Sequence, residues 1–240
     1  GGEATVGVTA LIPNRFLFHF EFPLHYRSRP PVIDGHVDDW TDDDLLPKLG
    51  ELDGLGEFAD VWVCWNEAGL WVACRVVDKR QPLRCDPRTF WTGDNLRLCT
   101  DMRDARANKR ATRFCQQFYF LPTGGGLTKK EPVAGVNKIR RAREDAPPIP
   151  AGRIAVASHV TGTGYTLEAY VPAECLSGFD PTEHPRIGFY YMLEDGDHGQ
   201  QYLTVGDDLY WYVDPSTWAT AVLRRQNVKT SKSRKRRADG

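Results

Sequence analysis

Apolar and aromatic residues in this chain recur in short runs, often at every second position. Nowhere do they keep a 3.6-residue period over a long stretch. A chain of this kind buries a core by pairing strands. Phe16, Phe18, Phe20 and Phe22 alternate along one such run, which Pro23 is expected to end. Residues 59–65 and 70–77 are β-branched and aromatic and flank Asn66-Glu67-Ala68-Gly69, a hairpin signal. Further strands are expected over 95–100, 114–121, 153–160, 165–171, 186–193 and 220–224. Val160-Thr161-Gly162-Thr163-Gly164-Tyr165 reads as a second hairpin whose glycines are free to take positive φ. Helical character is confined to short turns near 45–49 and 173–176. The expected fold is all-β, an antiparallel β-sandwich of two sheets in the jelly-roll or immunoglobulin-like manner. Residues 123–150 are rich in Gly, Pro and charge and read as a long mobile excursion within one domain.

Composition narrows the class. The 240 residues are 41% apolar and 26% charged, which supports a packed core. No run approaches the ~20 apolar residues of a membrane span. Gly1-Gly2-Glu3-Ala4 shows no basic region followed by an apolar run, so no signal peptide is read there. The net charge of -1 conceals a basic tail: residues 229–240 hold six basic residues and one acid. Lacking an apolar face, the tail reads as disordered, either merely solvated or available to nucleic acid or an acidic partner. Six cysteines without a CxxC pair read as buried free thiols, with Cys99 and Cys115 placed to face each other across neighbouring strands. A monomer is expected.

The segment Phe90-Trp91-Thr92-Gly93-Asp94-Asn95-Leu96-Arg97-Leu98 delivers a tryptophan to the start of a strand. Asn95 and Arg97 then share one face and Leu96 and Leu98 the other. An indole beside polar side chains suits the apolar face of a sugar ring; it also suits ordinary packing. No phosphate-cradling loop or metal-hydrolase helix is present, and Ser158-His159 lacks a third member, so an enzyme is not expected. The acidic turn from Asp38 to Asp44 leaves structural calcium open, without the spacing of an EF-hand loop.

Taken in order, several segments resemble the family 9 carbohydrate-binding modules and their wider superfamily of DOMON-like β-sandwich domains. They are Ile33-Asp34-Gly35-His36-Val37-Asp38-Asp39-Trp40, Val76-Val77-Asp78, Trp91-Thr92-Gly93-Asp94-Asn95-Leu96-Arg97, Gly164-Tyr165-Thr166-Leu167-Glu168-Ala169-Tyr170-Val171-Pro172, Ile187-Gly188-Phe189 and Asp214-Pro215-Ser216-Thr217-Trp218-Ala219-Thr220-Ala221-Val222-Leu223. The resemblance covers about residues 30–225. It implies an N-terminal strand over 1–29 packed on a sandwich of 30–225, with the basic tail at 226–240.

The resemblance further implies non-catalytic binding of a saccharide between two tryptophans, Trp91 and Trp211, as a module of, or partner to, a glycoside hydrolase in polysaccharide breakdown. It also implies an extracytoplasmic location and leaves structural calcium as an option. Asp208 stands where the family has an amide. Arg97 stands where it has a Glu, so either the ligand is acidic or Arg97 pairs with Asp94 or an acid of a neighbouring strand. Gln117 or Tyr119 is the nearest substitute for the family's sugar-contacting Arg. Two alternatives remain at this point: a structural or protein-interaction sandwich that has lost the pocket, and a haem-binding electron-transfer domain using Met192.

Overall fold

Pairing of these runs produces twelve strands in the computed structural model, which describes residues 5–12, 15–49 and 56–225. They are β1 (Thr5–Ile12), β2 (Arg15–Tyr26), β3 (Ala59–Asn66), β4 (Gly69–Val76), β5 (Asn95–Asp101) and β6 (Cys115–Gly125), followed by β7 (Glu131–Asn137), β8 (Ala155–Val160), β9 (Tyr165–Pro172), β10 (Arg186–Asp195), β11 (Gly199–Tyr202) and β12 (Ala219–Arg224). The hydrogen-bonded order is β7-β6-β5-β10-β12-β2-β3-β4-β9-β8, with β1 on β2 and β11 on β10. The path folds back on itself, so that Ser158 of β8 donates to the Pro122 carbonyl of β6 at 2.7 Å. The protein is all-β, and its only helical pieces among the described residues are short 3-10 turns such as Asp42–Asp44 and Ala173–Cys175.

Alternation decides what lies between the two layers. Leu96 and Leu98 of β5 and Phe118 and Phe120 of β6 meet Val72 and Cys74 of β4 and Leu167 and Ala169 of β9 in one buried cluster. On the far side of β3 and β4, Trp40, Trp62 and Trp71 form a second, smaller cluster under the 33–45 segment. That segment is pinned by Glu168, whose carboxylate accepts from Trp40 Nε1 (2.7 Å), Gly35 N (2.7 Å) and Asp34 N (3.1 Å). Gly35 holds φ +93, and a Cβ there would lie 2.8 Å from the Ser158 backbone.

Several expectations change. All joins are antiparallel except β12–β2 and β2–β3, which are parallel. β2 continues through Pro23. That residue pairs with Val222 of β12 on one edge, and on the other it falls in the gap between the β1 ladder, which ends at Glu21, and the β3 ladder, which begins at His25. Residues 45–49 form no helix: Leu45 bridges Trp62, and Leu46 N donates to Val61 O. The excursion 123–150 contains β7, paired with β6 from Gln117↔Asn137 to Leu121↔Val133. In the second hairpin Gly164 is required by close approach rather than by φ, since a Cβ would lie 2.2 Å from Val76 O. All six cysteines are free, and Cys99 faces Gln117 rather than Cys115. The basic tail and the side chains of Phe16 and Phe18 lie outside the described residues, and no described helix is long and apolar enough to cross a membrane.

One buried ion cluster joins three segments. Lys79, just past β4, places Nζ 2.7 Å from Asp94 Oδ1, 2.7 Å from Asp195 Oδ2 and 3.3 Å from Asp197 Oδ2. Burial opposes the ammonium, yet Asp195 and Asp94 outweigh it and hold the lysine pKa above its ordinary value. Burial likewise opposes ionisation of Asp195, and Lys79 with the Asp197 amide reverses this, holding it below the ordinary carboxylate value. A depressed carboxylate pKa stabilises the fold above the unfolded value of ~3.9 and loses that contribution as pH falls through the folded value. Lys79→Met leaves buried carboxylates without a cation. It is expected to cost about 3–5 kcal/mol in urea unfolding at neutral pH, with a smaller difference from wild type in strong acid.

Candidate functional site

Four strands present their outward faces side by side at one end of the sheet. The register places Met192, Arg97, Tyr119 and Gly135 in one row across β10, β5, β6 and β7. The next row is Tyr190, Cys99, Gln117 and Asn137. The segment between β11 and β12 folds over the β10 side of this face and buries Leu203, Trp211 and Trp218. What remains open is a cleft of about 410 Å³, within the ~300–1,000 Å³ usual for small-ligand sites. Phe90, Trp91 and Tyr212 give it aromatic walls, and Arg97, Gln117, Asn137, Arg140, Glu194 and Asp207 supply polar groups.

Trp91 is 49% exposed and stands edge-on to Phe90, with ring centres 5.1 Å apart. Phe90 in turn stacks on Tyr119 at 4.1 Å and 10°. Tyr119 lies across Gly135, where a Cβ would come within 2.2 Å of its ring. The aromatic wall therefore rests on a glycine in β7. The loop that carries Trp91 is held from behind by Asp94, whose Oδ2 accepts from Arg84 N at 2.6 Å while Oδ1 meets Lys79. Gly93 has φ +144, and a Cβ there would strike Arg84 O at 2.2 Å.

Arg97 is buried, and its Nη2 donates to Glu194 Oε2 at 2.8 Å, an acid of the neighbouring strand. Its Nε is buried with no hydrogen-bond partner. Burial pulls the Arg97 pKa down against the pull of Glu194, and burial pushes Glu194 up against the pull of Arg97. Gln117 accepts from Asn137 Nδ2 at 2.5 Å, which fixes the amide pair on the cleft floor. Within the cleft, Arg97 and Arg140 balance Glu194 and Asp207 in formal charge. Such a wall-and-floor arrangement accommodates a flat, hydroxyl-bearing ring that needs both donors and acceptors.

Of the residues expected from sequence, Trp91, Arg97 and Gln117 line this cleft together; Tyr119, Asp208 and Trp211 do not. Trp211 corrects the two-plate expectation. It is 0% exposed, stacks on Tyr190 at 4.7 Å, lies 5.0 Å from the Arg97 guanidinium and donates through Nε1 to Asp207 at 2.8 Å. Its ring belongs to the core, and its neighbour Tyr212 reaches the cleft. Asp208 is exposed outside the cleft while Asp207, one residue earlier, lines it. Tyr119 supports Phe90 from below. Sequence reasoning missed Phe90, Asn137, Arg140, Glu194, Asp207 and Tyr212. Glu194 was findable as the acid opposite Asn95 once β5 and β10 are paired; Asn137 and Arg140 lay in the segment read as an excursion.

The other expectations of chemistry resolve locally. Met192 is buried at 0% exposure, and no His or Met is among the described residues lining the cleft, so the haem reading lacks an axial ligand there. In the acidic turn, Asp44 is buried and spends its carboxylate on Arg27 (2.6 Å), His25 (2.9 Å) and the Thr41 hydroxyl and amide. No group of three or more His, Cys, Asp or Glu among the described residues is arranged to hold a metal ion.

No family model and no curated protein matches this chain. Solved structures do, among them two of a family 9 carbohydrate-binding module from Caldicellulosiruptor kristjanssonii. The cellotriose complex is 16% identical with a TM-score of 0.59, covering 88% of this chain and 96% of that one. The glucose complex is 14% identical with a TM-score of 0.58, covering 88% and 99%. The chain has a fold like that of the family 9 modules.

A Cβ at residue 135 has no room beneath Tyr119. Gly135→Ala is therefore expected to destabilise the protein by about 1–3 kcal/mol and to shift Trp91 fluorescence by displacing Phe90. Equilibrium unfolding followed by tryptophan emission checks both.

Proposed function

We propose that this protein binds a saccharide without acting on it chemically, with one sugar ring seated in the cleft against Trp91. The observation that carries this reading is the half-exposed Trp91 indole on a braced aromatic wall, beside a floor of amide and charged groups. A pyranose offers one apolar face to an aromatic plane and a rim of hydroxyls to donors and acceptors, so it uses both halves of such a site. The family 9 modules of like fold, described in complex with cellotriose and glucose, support the same class of ligand.

In this reading the ring rests on Trp91 alone, with Tyr212 as a further wall, because Trp211 is spent in the core. Gln117 and Asn137 offer amide groups, and Glu194 and Asp207 offer acceptors. Arg97, with one arm committed to Glu194, orients hydroxyls. Because charge within the cleft is balanced, the ring it holds is uncharged. The burial of Trp211 favours a second reading, a sandwich that keeps the fold and binds a protein.

The test is titration of the protein with glucose, cellotriose and xylooligosaccharides, read by calorimetry and tryptophan quenching. Saturable binding that falls at least about tenfold in Trp91→Ala, equivalent to ~1.4 kcal/mol, is the expected result, with Trp211→Phe lowering thermal stability. Absence of binding to every glycan on a broad array, by folded wild-type protein, leaves the protein-interaction reading in its place.

A further inference from the structure

Two loops beside the cleft concentrate positive charge. Residues 109–113 and 138–145 together carry seven basic and two acidic residues, a net of +5, and all nine are exposed. Residues 1–228 outside these segments carry 18 basic and 29 acidic residues, a net of -11. The asymmetry is thus local to one face of an otherwise acidic body. Arg113 meets Glu144 at 3.5 Å and Lys138 meets Asp145 at 2.6 Å. Lys109, Arg110, Arg140, Arg141 and Arg143 have no carboxylate partner among the described residues.

The face is built, not merely coincident in sequence. Arg143 N donates to Ala111 O at 2.7 Å, and Arg110 Nε donates to Arg141 O at 2.8 Å. The two loops are therefore clasped by one backbone bond and one side-chain-to-backbone bond, and Arg141 takes φ +59 within the clasp. The face is also continuous with the cleft. Arg140 lines the cleft itself. Asn137 lines both the cleft and a neighbouring hollow of about 450 Å³, which Lys138 and Glu144 also border.

We infer that this face is a second subsite that takes the carboxylate or sulfate groups of an acidic saccharide chain whose one uncharged ring occupies the cleft. The inference rests on the saccharide reading of that cleft. Guanidinium groups match carboxylate and sulfate oxygens in geometry. Their field attracts a polyanion toward the one face where the surrounding negative charge does not repel it. A narrow chain confined to that face avoids the acidic remainder of the body, whereas a duplex wide enough to reach past it meets like charge. The Arg140 guanidinium stands at the junction, so a chain leaving the cleft passes it first.

The experiment compares oligosaccharides of equal length: cellooligosaccharide, a xylooligosaccharide bearing glucuronate branches and a sulfated galactan oligosaccharide that keeps an unsulfated ring, so that both acidic chains offer an uncharged ring to the cleft, with a short DNA duplex as a fourth probe. Calorimetry at low and high salt is run on wild type, on Trp91→Ala and on the double variant Arg141→Glu with Arg143→Glu, whose unfolding midpoint checks its fold. The expected result is at least about tenfold tighter binding of one or both acidic oligosaccharides than of the neutral one, as several exposed ion pairs acting together allow. That preference disappears in the double variant and at high salt, while cellooligosaccharide affinity stays within about twofold. The arm that shows the preference tells carboxylate from sulfate.

Equal affinity for acidic and neutral chains in wild type, or a preference that survives the double variant, overturns the inference and leaves the cleft reading intact. Tighter binding of the DNA duplex than of any glycan overturns it in favour of a nucleic-acid surface. Acidic binding that needs Arg141 and Arg143 yet ignores Trp91→Ala overturns the continuity between the two sites, and with it the inference, while neutral-chain binding that also ignores Trp91→Ala overturns the saccharide reading of the cleft.

Discussion

A single buried ammonium holds together the parts of this protein that matter for its site. Lys79 lies among Asp94, Asp195 and Asp197, and each of these carboxylates reaches a backbone amide as well. Asp94 accepts from Arg84 N and Gly196 N, Asp195 from the amides of Asp197 and His198, and Asp197 from those of Arg80 and Gln81. The segment after β4, the loop bearing Trp91 and the β10–β11 turn are thereby tied at one point. In a low-dielectric interior such a cluster is costly to break, because losing the cation strands the acids. The loop that presents the indole is positioned by charge at its base and by the Phe90–Tyr119 stack along its side.

The cleft itself is a product of sheet register. Strand alternation sends Arg97, Gln117 and Asn137 to the same outward face, and Leu96, Leu98 and Phe118 to the core. A slip by one residue on β5 would exchange Arg97 for a leucine at the cleft. Above that face the 203–218 segment acts as a partial cover. It anchors itself with Trp211 on Tyr190 and Trp218 Nε1 on Trp211 O, and so leaves Tyr212 and Asp207 at the edge of the opening.

The hairpin of β3 and β4 and the strands β5, β9 and β10 were legible in the sequence. Each depends on local alternation or on turn chemistry. Trp91 was legible for the same reason, because a short loop delivers it directly to a strand. Asp208 lies within a 3-10 turn, Asp207–Leu209, and Trp211 follows its C-cap Tyr210, which takes φ +54, so each was misplaced by one residue. A left-handed residue there reverses which neighbours face inward, and no periodicity announces it. β7 was hidden because its Pro, Gly and polar residues satisfy pairing with β6 without supplying a buried apolar stripe.

By itself the sequence determined that this chain would pair strands into an all-β sandwich, since alternating apolar runs have no other way to leave water. It also determined that one indole would sit at a strand entrance among polar side chains. Only the tertiary structure decided which aromatic rings stay open. That choice depends on what stacks over each ring: Tyr190 and the covering segment seal Trp211, while Trp91 stays half exposed among the described residues. Long-range packing joins residues far apart in sequence, as Arg97 meets Glu194 across 97 positions of the chain.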